Sequence, residues 1–68
     1  MNIACADELV VNDVQAVLRH HAVARTREQG PNIGSPMIWL IVDSGLGGDQ
    51  ENALRREVAQ IPGASIRS

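Results

Sequence analysis

A small mixed α/β domain is the fold class this sequence predicts, and three observations carry it. Two stretches have their apolar residues at helical spacing, a continuous β-branched apolar run lies between them, and Gly- or Pro-bearing breaks flank that run. A lone strand cannot satisfy its own backbone hydrogen bonds, so the short segments near either end are read as outer strands, giving the order β-α-β-α-β over residues 1–68.

Asn2-Ile3-Ala4-Cys5 is the first outer strand. Helix one is expected over about 12–28, with Val14, Val17, Leu18, His21 and Ala24 on one stripe. Asn12 is its expected N-cap, Asp13 sits in the first turn, Arg25 and Arg27 occupy the last turn, and Gly30-Pro31 stops it. Asp7 is an alternative cap for a longer helix that brings Val10 into the stripe; the rival reading makes Leu9-Val10-Val11 extended. Met37 to Val42, bounded by Pro36 and Asp43-Ser44-Gly45, predicts a central strand over about 36–43. Helix two is expected over about 49–60, capped by Asp49, with Leu54, Val58 and Ile61 on its stripe and Pro62-Gly63 ending it. Ala64 to Arg67 then forms an edge strand.

In the central strand Met37, Trp39 and Ile41 point one way and Ile38, Leu40 and Val42 the other, so both sheet faces ask for cover. Two helices provide it only from opposite sides. If both lie on one side, the other face is left for a second chain, and so short a chain without a disulfide or metal gains from association in any case.

Composition narrows function mainly by exclusion. Apolar residues make up 44% of the chain and Trp39 is the only aromatic, so the core is aliphatic. A net charge of −2 provides no general attraction to a phosphate backbone or an anionic membrane, and nucleic acid is disfavoured as a partner. One cysteine forms no disulfide within the chain, and with two histidines it falls short of a structural zinc set, so neither cofactor nor metal is expected. The first seven residues lack the basic front of a secretory leader, and the six-residue apolar run is far too short to span a bilayer; a cytoplasmic, reducing location is the expectation.

Asp43-Ser44-Gly45-Leu46-Gly47-Gly48, between a strand and a helix, is the most suggestive motif, because glycine-rich turns there bring backbone N–H groups toward a ligand. Asp43, Ser44, Gly45, Gly47 and Gly48 are the candidate ligand-binding residues. Asp43, Asp49 and Glu51 oppose a phosphate, no lysine is available for a P-loop, and Leu54 stands where a calcium loop needs glutamate. The alternative is structural, with glycines at positive φ and Asp49 as a cap. The turn, followed by Leu54-Arg55-Arg56-Glu57 and Pro62, resembles the first strand-loop-helix of glutamate and aspartate racemases, and the resemblance implies substrate contacts from Asp43 and Ser44. Ile3-Ala4-Cys5 is similar to that family's catalytic Ala-Cys-Asn-Thr segment. Here Ala6-Asp7 replaces Asn-Thr, the two segments run in reversed order, and there is no second cysteine, which reads as convergence on a common turn.

Cys5 has no adjacent base to activate it and is expected as a small buried thiol. His20 and His21, adjacent on a helix, point about 100° apart and cannot share an ion; His21 is expected in a core or interface and His20 in solvent. Arg19, His20, Arg25 and Arg27 make a basic cluster, but an apolar strand follows where a helix-turn-helix needs a second helix. No group is placed to cooperate in catalysis. The expectation is a non-enzymatic protein–protein interaction module, an inhibitor or adaptor of bacterial or phage type, working as a homodimer or subunit through Trp39 and that basic cluster. A ligand-binding or enzymatic fragment built on the glycine turn, and a DNA-binding regulator, are the alternatives.

Overall fold

The computed structural model describes residues 1–23, 26–42 and 46–67. It is a mixed α/β domain with the order β1 (Asn2–Cys5), α1 (Glu8–His20), β2 (Thr26–Gln29), β3 (Ile38–Val42), α2 (Gly48–Ala59) and β4 (Ala64–Arg67). The four strands form one antiparallel sheet in the order β2-β3-β1-β4. Each β-α-β unit thus holds one strand of the other between its own two, the split arrangement called ferredoxin-like. The predicted central strand is central, but the sheet has one strand more than the β-α-β-α-β order allowed.

The extra strand is β2, which the sequence reading had absorbed into helix one. α1 starts earlier and stops earlier than predicted. Asp7, not Asn12, is its N-cap, its Oδ1 accepting from the Val10 N–H at 3.0 Å. At the other end Ala22 takes a left-handed conformation, φ 58. Its N–H bonds the Arg19 carbonyl at 3.0 Å, and the Val23 N–H reaches back to Leu18 at 2.9 Å. That pair of bonds is a Schellman stop, with alanine where glycine is usual. α2 fits its predicted span to within a residue, but its N-cap is Gly47, which makes no side-chain cap bond, and Asp49 lies inside the first turn.

Register divides the sheet into two faces. Ile3, Cys5, Ile38, Leu40 and Val42 point toward the helices and join Val10, Val11, Val14, Leu18, Leu54 and Val58 in a single aliphatic core. Both helices contribute to it, so both lie on this covered face, as right-handed crossovers require. Ala64 and Ile66 extend it on β4. Of the two arrangements the sequence leaves open, helices on opposite sides or both on one, the structure has the second: the face carrying Trp39 and Ile41 has no helix on it.

The turn that closes α2 sets where β4 begins. Ala64 N–H bonds the Ile61 carbonyl at 3.1 Å across Pro62-Gly63, with Gly63 at φ 87, a proline-then-glycine turn. A Cβ at Gly63 would stand 2.9 Å from Val10 Cγ2, so the start of α1 also needs glycine there. The Gly63 carbonyl accepts from Ala6 N–H at 3.0 Å, joining the end of β1 to this turn.

Candidate functional site

The open face is two rows deep. Reading across the strands, one row is Arg27, Ile41, Asn2 and Arg67, and the next is Gln29, Trp39, Ala4 and Ser65. Strand alternation puts them there, since every partner of a covered-face residue is itself on the covered face. The centre is apolar. Trp39 and Ile41 are only partly buried, and Ala4 is 1% exposed with the Trp39 indole opposite it in register. Amide, hydroxyl and guanidinium side chains surround that centre. Asn2, Gln29, Trp39 and Ile41 line a shallow groove of about 200 Å³.

Charge is divided between the faces. Among the described residues no acidic side chain stands on the open face. Asp7 precedes α1, Glu28 is on the covered side of β2, and the others belong to the helices. The open face carries Arg27 and Arg67. Among the described residues these two arginines stand at opposite edges of the apolar centre.

The basic cluster predicted for one helix is dispersed. Arg19 and His20 lie in the last turn of α1, Arg27 lies on β2, and Arg25 falls outside the described residues. Arg19 borders a second cleft, about 350 Å³, with Gln15, Leu18, Val23 and Thr26, between the Schellman end of α1 and the sheet edge. That cleft lies apart from Trp39 and offers one charged group. His20 is exposed, and its ring meets His21 edge-on with centroids 5.4 Å apart. His21 Nε2 contacts Glu57 Oε2, and its carbonyl accepts from Gln50 Nε2 at 2.8 Å, so His21 fastens the end of α1 to α2.

Asp43, Ser44 and Gly45 lie outside the described residues. Gly47 and Gly48 lead into α2, but neither has a positive φ; Gly47 is at −68 and space is open around both. The conformational role anticipated for these two glycines is therefore corrected. Val42, just before the turn, is bonded to Met1 at 2.8 Å, whereas Cys5 pairs with Ile38 at the opposite end of the strand. Cys5 is fully buried, and burial pushes its thiol pKa up, with Glu28 and Asp7 adding to the effect. A neutral buried thiol is a poor nucleophile. Among the described residues no three His, Cys, Asp or Glu side chains are grouped to hold a metal, and no helix is long and apolar enough to cross a membrane.

Trp39, expected in the core or at an interface, is partly buried on the face that no helix covers. Asn2, Gln29, Ser65 and Arg67 were missed; the period-2 alternation of the outer strands, applied to Trp39's side, was the signal that could have found them. No protein-family model, curated protein or solved structure matches the chain.

Proposed function

We propose that the chain is a non-catalytic protein-interaction module, of the inhibitor or adaptor kind, that seats a second polypeptide on its open sheet face. The observation that supports this reading is a partly exposed indole, Trp39, beside Ile41 in the middle of a face that no helix covers. Tryptophan in such a position is the residue type most enriched at binding hot spots, and the surrounding polar groups make a hydrated rim. Function as a homodimer or as a subunit of a mixed complex both follow from it.

The test pairs sedimentation at tens of micromolar with capture from host extract, comparing the wild-type chain with Trp39→Ser. Either self-association or a captured protein, lost in a Trp39→Ser chain whose circular dichroism is unchanged, is the expected result. A wild-type monomer of 7.3 kDa that captures nothing beyond what Trp39→Ser captures would overturn it.

A further inference from the structure

We infer that the free edge of β4 is a self-pairing site, at which two copies of the chain join antiparallel into one eight-stranded sheet. The inference stands apart from whatever occupies the open face.

Hydrogen-bond parity is the first ground. Residues directly opposite one another in antiparallel strands exchange both backbone bonds or neither, in alternation. The Ala6 N–H bonds the Gly63 carbonyl, so in the same register Ala4 with Ser65 and Asn2 with Arg67 are the bonded pairs. On the other side of β1 the Val42 N–H bonds the Met1 carbonyl, and the same alternation gives Ile3 and Cys5 to β3. Ala64 and Ile66 therefore turn their backbone groups away from β1, toward the open edge. The Ala64 N–H is taken by the Ile61 carbonyl, so Ile66 holds the outward donor and acceptor.

Self-complementarity is the second ground. A two-fold axis normal to the sheet at Ile66 lets its N–H donate to the Ile66 carbonyl of the copy, and the reverse. Both Ile66 side chains then lie on the covered side, where each is partly buried at the margin of the core, and they carry that core across the joint. β4 has one charged residue, and this register sets Arg67 opposite Ser65 of the copy. The other edge lacks this property. Parity turns Thr26 and Glu28 to the outside of β2, and an axis at Glu28 opposes two carboxylates.

The helix above the edge adds contact area without repulsion. Gln50 and Glu57 reach His21, so that side of α2 faces α1. Glu51 and Arg55 lie round the helix on the other flank, nearer the β4 edge, and neutralise each other at 3.0 Å. The dimer so formed keeps both helical layers on one side of the sheet and sets both Trp39 faces side by side on the other.

The full-length chain is followed by sedimentation and by amide hydrogen exchange from tens of micromolar to about one millimolar, the range for a short edge that makes a small, reversible interface. Expected are a monomer–dimer equilibrium and an Ile66 amide whose exchange slows at least tenfold with concentration, while Ser65 and Arg67, already bonded to β1, change little. Ile66→Pro removes the outward donor without touching a bond to β1 and should be a folded monomer. Trp39→Ser should dimerise as the wild type does. If Ile66→Pro fails to fold, the wild-type Ile66 amide decides. A monomer at every concentration would overturn the inference, as would a dimer whose Ile66 amide stays fast. A dimer that Trp39→Ser dissociates would overturn it as well, while leaving the interaction reading of the open face intact.

Discussion

Trp39 and Leu40 are neighbours in the chain and stand on opposite faces of β3. Around Leu40 every side chain of the central strands is aliphatic or a thiol, closed over by two helices to 2% exposure or less. Around Trp39 the central strands supply one more aliphatic, an alanine and an asparagine, and the edge strands supply arginine, glutamine and serine. Two faces of one sheet have been composed differently, although β3 read alone is apolar throughout. An apolar run is thus evidence that a strand is central; it is not evidence that both of its faces are covered. What covers a face depends on crossover handedness, which leaves one side of this sheet without a helix.

The comparison is sharpest in the two neighbours themselves. Leu40→Ala should cost about 2–5 kcal/mol, most of the stability of so small a domain, because the cavity lies in the only core. Trp39→Ser should cost less than Leu40→Ala and leave a cooperative thermal transition, with native Trp39 emission to the red of a fully enclosed indole. A Trp39 variant that unfolds, with blue-shifted native emission, would show that the open face is covered after all.

A second contrast separates packing from backbone conformation. Gly63 and Gly34 both have positive φ, at 87 and 85, but only Gly63 has a helix against it. Gly34→Ala should lower stability by about 1 kcal/mol through strain alone, and Gly63→Ala by more, since its Cβ also meets Val10. Gly48→Ala should be neutral or stabilising by up to about 1 kcal/mol, being a first-turn helical site in open space. Chemical denaturation of the three variants checks the order.

Next comes the cap of α1, the helix that does most to close the covered face. Asp7→Ala should cost about 1 kcal/mol, and Asn12→Ala, exposed within the helix, almost nothing; equal losses would return the helix start to Asn12.

The smallest effect is read at the thiol. In the folded chain Cys5 holds its proton to higher pH than in the unfolded chain, so the unfolded state ionises first. Stability is therefore independent of this group below its ordinary value of 9.0 and falls as pH rises above it. Alkylation shows the same asymmetry between faces: Cys5 should react only through unfolding, whereas a thiol introduced by Ser65→Cys in a Cys5→Ser background should react at the rate of a free thiol.

How far the sequence could be read follows from what each element buries. β3 was legible as an unbroken apolar run, and α2 because Leu54 and Val58 recur at helical spacing. β2 was not. Thr26-Arg27-Glu28-Gln29 is polar throughout, lies at an edge, and uses residues that favour a helix at least as well; only pairing with β3 makes it a strand. The end of α1 was hidden for a related reason, since Ala22 adopts the left-handed conformation that glycine or asparagine would have announced. Of the candidate site, Trp39 and Arg27 could be named in advance. Their association with Arg67 and Asn2 could not, because it depends on a strand order that local patterns do not encode.

That strand order also bears on how the chain reaches its fold. Only β2 and β3 are joined as a hairpin; β1 lies between β3 and β4, both distant from it in sequence, and its backbone remains unpaired until each has arrived. The hairpin can close on a microsecond timescale, whereas the insertion of β1 must first overcome the entropy of closing long loops, so the sheet is completed from its middle late in folding. Until then the apolar Ile3-Ala4-Cys5 is an open strand edge, the kind of segment through which an unfinished sheet pairs with another chain.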